Sequence, residues 1–286
     1  MAAVSTPARA PSERPIAVFD SGVGGLTVLQ ELLVELPRED FLYLGDTARF
    51  PYGERSAAEL EQFALEIAEL LLTRRAKLLV VACNAASAAA LDALRQRMLS
   101  TTLGVHVTGV IDPESRLAAS ASENRRVGLL ATSATVRSGA YARALAVHAP
   151  DVELVSVACP DLAPIIQQGF PLDHRVVDTV RGYCAPLRDA GVDTVILGCT
   201  HYPLIAPMLQ RMLGPGVRLI TSGRSLAASV AQALDDAGLR ATRASEGDYR
   251  FLCTGDVDAF RELGSRFLQM PIDHVEHIEF PLAEAA

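Results

Sequence analysis

"VVACNAASAAAL" (80–91) passes from β-branched residues through Cys83 and Asn84 into an alanine-rich run. The change of residue type at Cys83 reads as a buried strand ending where a helix begins. "TVILGCTHYPLI" (194–205) repeats the pattern, with Cys199 at the junction and Thr200-His201 after it. A lone buried cysteine usually serves as a small hydrophobe. Two at equivalent strand ends are harder to explain by packing, and a helix N-terminus there is expected to stabilise each thiolate.

Working outward, short β-rich runs alternate with Ala/Leu-rich segments along the whole chain. Strands are expected at 15–20, 40–46, 77–83, 106–111, 126–132, 152–159, 194–199, 217–222 and 249–255. Residues 56–76 carry apolar side chains at helical spacing, Leu60, Phe63, Ala64, Ile67, Leu70 and Leu71 among them. Alternation of this kind predicts an α/β fold, with mostly parallel sheets flanked by helices, and strands so apolar throughout belong in sheets covered on both faces. A coarse internal repeat relates "AVFDSGVGG" to "VGLLATSATVRSG". Cys83 and Cys199 lie 116 positions apart, and Ser21 and Thr132 lie 111 apart. Two similar lobes facing one another would bring both cysteines into one cleft, at the carboxyl ends of strands where open α/β sheets bind ligands. A chain of 286 residues suits one large domain or two ordinary ones.

Composition narrows the classes of function. With 26 basic and 34 acidic residues the net charge is −8, and no basic run offers a footprint for nucleic acid or a membrane surface. No apolar run approaches the ~20 residues of a membrane-spanning helix. Residues 1–14 lack the apolar centre of a secretory signal and read as a disordered tail. The five cysteines are unevenly spaced, without a CxxC pair. That argues against a disulfide framework or a zinc site, and for reduced cysteines in the cytoplasm. His201 lacks the further ligands zinc would need and reads better as a partner of Cys199.

Other motifs supply polar groups around the two thiols. In "FDSGVGGLTVL" the strand ends at Asp20, Ser21 follows, and Gly22, Gly24 and Gly25 open a helix whose N–H groups could hold an anion. A plain glycine turn capped by Asp20 is the bland alternative. "YLGDTARFPYGERS" presents Tyr52-Gly53, where glycine allows close backbone approach, although an ordinary turn fits as well. "ATSATVRSGAY" clusters Thr132, Thr135, Ser138 and Tyr141, suited to carboxylate binding or to helix capping. Cys159 precedes Pro160, and Cys184 and Cys253 read as helix and strand interior. His274 and His277 read as surface.

Together, "FDSGVGGLTVL", "YLGDTARFPYG", "ACNAASAAAL", "ATSATVRSGAY", "CPDLAPIIQQG", "LGCTHYPLI" and "FLCTGD" resemble the glutamate racemases of the cofactor-independent aspartate/glutamate racemase superfamily. The resemblance runs from about Ile16 to Asp256. It implies two pseudo-symmetric α/β lobes, one of residues 15–107 plus 217–286 and one of 108–216, with the active site between them. It also implies a reaction without metal or cofactor. One thiolate would remove the α-proton of glutamate while the other thiol protonates the opposite face. Cys83 would act on D-glutamate and Cys199 on L-glutamate, tuned by Asp20 and His201. Ser21, Tyr52, Gly53, Asn84 and Thr200 would hold the ammonium and carboxylates, with Ala85, Thr132 and Thr135 nearby.

Three residues depart from the family pattern. Ala85 stands where a Thr or Ser is usual, Gln167 where a glutamate is usual, and Thr221 where an acid is usual. The resemblance places the product in cell-wall peptidoglycan synthesis and leaves a homodimer open. A racemase of aspartate or another acidic amino acid is the alternative, as is a binding protein that kept the cleft with weakened activity. A cysteine hydrolase built on Cys199–His201 would have no use for Cys83.

Overall fold

A computed structural model describes residues 10–101, 104–170 and 173–280. In chain order the elements are β1 (Ile16–Asp20), α1 (Leu26–Glu35), β2 (Phe41–Gly45), α2 (Ala57–Thr73), β3 (Leu78–Val81), α3 (Asn84–Ser100) and β4 (His106–Gly109). There follow α4 (Ile111–Ala121), β5 (Arg126–Ala131), α5 (Ser133–Ser138), α6 (Ala140–His148), β6 (Glu153–Ala158), α7 (Leu162–Gln167) and α8 (His174–Asp189). Then come β7 (Thr194–Gly198), α9 (Ala206–Leu213), β8 (Arg218–Ile220), α10 (Ser222–Asp236), β9 (Tyr249–Cys253), α11 (Val257–Leu268) and β10 (Val275–His277).

The strands form two sheets, one ordered β10-β9-β2-β1-β3-β4 and the other β6-β5-β7-β8. Every pairing between them is parallel. The order β2-β1-β3-β4 repeats as β6-β5-β7-β8, so the internal repeat of the sequence is a repeat of topology. β9 and β10 extend the first sheet alone. The first sheet is covered on both sides: Val18 and Val80 join one buried cluster, while Phe19 and Val81 join the other. The former cluster continues into the second lobe through Val127, Leu129 and Ile196. One apolar core therefore passes between the lobes.

Helix α2 starts at a capping box in which Ser56 and Glu59 satisfy one another's backbone N–H groups, as its serine-first sequence suggests. Helix α10 packs on α1 of the first lobe and on α4 of the second. Two boundaries differ from the sequence expectation. β4 runs to Gly109 and pairs with β3, so the first sheet extends past residue 107. β8 pairs with β7, so the second sheet reaches Ile220 and not 216. A strand of three residues carries no mark of which sheet will take it.

Of the tail expected over 1–14, residues 1–9 lie outside the described residues. The remainder is tied down: Pro11–Glu13 forms a 3-10 turn, Glu13 pairs with Arg243 at 2.9 Å, and Ser12 O accepts from Lys77 Nζ at 2.5 Å. Among the described residues no helix is long and apolar enough to cross a membrane.

Candidate active site

Cys83 is the residue just before α3, with extended backbone (φ −69°, ψ 122°) and 5 % exposure. Cys199 follows β7 at 7 % exposure. β3 and β7 hold the same place in their sheets, so the repeat delivers both thiols to one cavity. Ser21, Tyr52, Gly53, Asn84 and Ala85 line it from the first lobe, and Thr132, Thr200 and His201 from the second.

Two glycines set how closely the lobes meet. A Cβ on Gly24 would lie 2.4 Å from Thr200 Oγ1 and 2.5 Å from His201 Nδ1. A Cβ on Gly53 would lie 3.0 Å from Thr132 Cβ. Neither approach would survive an ordinary side chain unchanged.

Burial governs the charges here. It pushes the Cys83 thiol up to about 12, aided by the Asp20 charge; the Ala86 N–H and Ser21 draw it partly back. Cys199 is also raised well above an ordinary thiol by burial, against the pull of the His201 N–H. The stabilisation expected from helix N-termini is thus outweighed by desolvation. At Cys199 the feature is weaker still, because a 3-10 turn (Tyr202–Ile205) containing Pro203 separates it from α9. The result is a pair of thiols whose thiolates, once formed, are strong bases.

Asp20 does not line the cavity; it lies fully buried beneath it. Its Oδ1 accepts from Gly22 N at 2.9 Å, and its Oδ2 accepts from Thr200 Oγ1 in the other lobe at 3.2 Å. Burial raises its carboxyl to about 6, less the pull of Gly22, Gly25 and Thr200. His201 is held down to about 3 by burial and is a neutral imidazole at pH 7. Its Nε2 lies 2.8 Å from Gln167 Oε1, and its Nδ1 lies 3.9 Å from Cys199 Sγ. An amide oxygen can only accept, so Gln167 Oε1 accepts a hydrogen bond from His201 Nε2–H, and the Nδ1 lone pair is left toward the thiol. The glutamine that departs from the family pattern therefore fixes a tautomer without lending charge.

These pKa values give a signed expectation. Below about pH 6 Asp20 takes up a proton, and its charge then no longer strengthens the thiolates as bases. Activity should fall as pH drops through about 6, while His201 contributes no step at the usual histidine value. Asp20→Asn should erase that acid limb. A pH profile of kcat/KM tests this, and an unchanged limb in Asp20→Asn would reassign it.

Thr135 is fully buried and faces Thr132, their hydroxyl oxygens 3.1 Å apart; it does not line the cavity. Ser138 turns back on Thr135 O, and Tyr141 is buried in a separate contact with Glu114. Thr221 precedes α10, away from the cavity. Cys184 lies within α8 and Cys253 ends β9, as their segments suggest. His277 ends β10, a strand the exposed "VEH" does not announce. Sequence reasoning missed the apolar walls: Phe50 and Pro51 on one side, Pro160, Ala163 and Pro164 on the other. Their only sequence signal is proline beside a polar motif. Among the described residues no three His, Cys, Asp or Glu side chains cluster as a metal site.

The chain is similar to known proteins over most of its length. Residues 27–230 match the model of the Asp/Glu/hydantoin racemase family. The glutamate racemase of Geobacter metallireducens is 44% identical over 255 residues, 89% of this chain and 93% of that one. Among solved structures, an isoform of glutamate racemase from Bacillus anthracis superposes with a TM-score of 0.89 at 36% identity. It covers 95% of this chain and 100% of its own. The Francisella tularensis glutamate racemase in complex with D-glutamate gives 0.86 at 34% identity, covering 94% and 98%.

Proposed function

This chain belongs to the Asp/Glu/hydantoin racemase family, and from that premise we propose that it interconverts L- and D-glutamate by two-thiol acid–base chemistry without a cofactor. The observation that carries the reading is the pair of buried thiols delivered by equivalent strand ends to one cavity. Inverting one carbon needs a base on one face and an acid on the other, and a single group reaches both poorly.

One thiolate takes the α-proton, forming S–H as the C–H bond breaks. The electron pair left on Cα is delocalised into the α-carboxylate. The opposite thiol then donates its proton to the other face, and the enzyme ends with the two sulfurs' roles exchanged. Cys83 acts as base on D-glutamate and Cys199 on L-glutamate. The enclosed cavity strengthens the fixed donors that stabilise the carbanion. Asp20 acts on the side of Cys83, and the lone pair of His201 Nδ1 accepts a hydrogen bond from the Cys199 thiol and orients it. Ser21, the Tyr52-Gly53 backbone and Thr200 hold the substrate's charged groups. The D-glutamate formed serves peptidoglycan synthesis in the cytoplasm.

Circular dichroism of D-glutamate with purified protein and no added cofactor tests the reading, with aspartate run in parallel. Decay of the glutamate signal to zero is expected. A stable signal would overturn the reading, and faster loss with aspartate would move the substrate.

Ala85 offers a gain-of-function check. It lines the cavity without a side-chain donor. Ala85→Thr should strengthen binding by about 0.5–1.5 kcal/mol, one net hydrogen bond, seen as a lower KM with little change in kcat. A raised KM would show that the threonine displaces substrate.

A further inference from the structure

Behind the cavity wall, where the two lobes meet, lies a buried polar cluster the mechanism does not use. Glu114 of α4 is fully buried. Its Oε1 lies 2.5 Å from Ser222 Oγ of α10, which accepts a hydrogen bond from the carboxyl O–H when Glu114 is uncharged. Its Oε2 accepts from Tyr141 OH of α6 and from Asn84 Nδ2 at 3.2 Å. Asn84 Nδ2 also lies 2.7 Å from Tyr141 OH, so both protons of the amide nitrogen are engaged inside the cluster. Asn84 itself is 2 % exposed, follows Cys83 directly and lines the cavity. Its other polar atom, Oδ1, is buried with no partner in the protein.

An orphaned buried acceptor is costly unless something fills it. The engaged nitrogen cannot turn toward a ligand without abandoning two partners. Asn84 can therefore present only its oxygen, and an oxygen accepts. Of the charged groups on an amino acid substrate, only the ammonium donates.

Resting on the function proposed above, we propose that Glu114 and Tyr141 are positioning residues that lock the Asn84 amide from behind, making Oδ1 an acceptor for the ammonium of the bound amino acid. The lock is supplied by the second lobe and α10, while the amide it orients belongs to the first. Docking of the lobes thus sets the binding chemistry of a residue adjacent to a catalytic thiol. Burial lifts the Glu114 carboxyl to about 8, so it is largely uncharged at pH 7 and glutamine is its near isostere. A glutamine there keeps an acceptor oxygen for Asn84 and Tyr141 and can donate to Ser222 Oγ.

The test compares wild type, Glu114→Ala, Glu114→Gln, Tyr141→Phe, Asn84→Ala and the double variants with Asn84→Ala. Glu114→Ala should raise KM for both enantiomers roughly tenfold, a typical loss for a hydrogen bond to a charged group, with a smaller change in kcat. Glu114→Gln should recover most of the loss. In the Asn84→Ala background neither Glu114→Ala nor Tyr141→Phe should raise KM further. The sharpest readout is inhibition by glutarate, which has both carboxylates and no ammonium. Its inhibition constant should be nearly insensitive to all of these changes, whereas glutamate binding is not.

Equal weakening of glutarate and glutamate would overturn the proposal, as would multiplicative losses in the double variants. Should Glu114→Ala fail to fold, Tyr141→Phe with Asn84→Ala completes the same cycle. Should the wild type not racemise glutamate, calorimetric binding of glutamate and glutarate still reads the positioning, so the two failures are distinct.

Discussion

Cys83→Ala should lose racemisation in both directions by on the order of 10²–10⁴-fold, the usual contribution of a positioned acid or base. In the proposed mechanism each turnover uses one sulfur as base and the other as acid, so removing either should stop inversion. Proton removal from one enantiomer should nevertheless survive. In deuterated water, Cys83→Ala should exchange the α-proton of L-glutamate through Cys199 and return it without inversion. Cys199→Ala should do the same for D-glutamate. Nuclear magnetic resonance of the α-proton, together with circular dichroism, separates exchange from inversion. Normal racemisation by either variant would end the two-thiol reading, and loss of both exchanges would show that the remaining thiol cannot act alone.

Gly24→Ala should be nearly as damaging, though it touches no substrate. The added methyl would sit 2.4 Å from Thr200 Oγ1 and 2.6 Å from His201 Cε1, closer than van der Waals contact allows. Either the His201 ring turns away from Cys199 or the lobes part. Misplacement by about 1 Å of a reacting or positioning group can cost around 10²-fold in rate, and overpacking at such a site about 1–3 kcal/mol of stability. The expected outcome is a large fall in kcat with a modest fall in Tm. Activity within twofold of wild type would mean that the close approach at Gly24 is dispensable.

The strands with long β-branched runs were legible because burial on both faces writes itself into composition. Both cysteines, Ser21, Asn84 and His201 were legible because they stand where such runs stop. The same reading could not see which sheet takes "RLI" at β8, or that "VEH" forms β10 at an exposed edge, since pairing of three residues is settled by neighbours distant in sequence. Glu114 was silent for another reason. An acid in the first turn of a helix reads as a favourable surface charge, and only the arrival of Asn84, Tyr141 and Ser222 from three other helices makes it a buried one. Asp20 was legible as a residue of the site but not as one beneath its floor.

The repeated strand order means that this molecule carries its own homologue for comparison. Matching β1 with β5 and β3 with β7 sets Asp20 against Ala131, Ser21 against Thr132, Cys83 against Cys199, Asn84 against Thr200 and Ala85 against His201. The sulfurs and the small polar residues recur at matching positions in both halves, and Asp20 and His201 do not. One half has an acid at the end of its first strand, and the other has an imidazole two residues past its thiol. The mirror therefore holds at the sulfurs and their hydroxyl and amide neighbours, and under the proposed mechanism left- and right-handed substrates would meet helpers of different chemistry, a carboxyl beside one thiol and an imidazole beside the other.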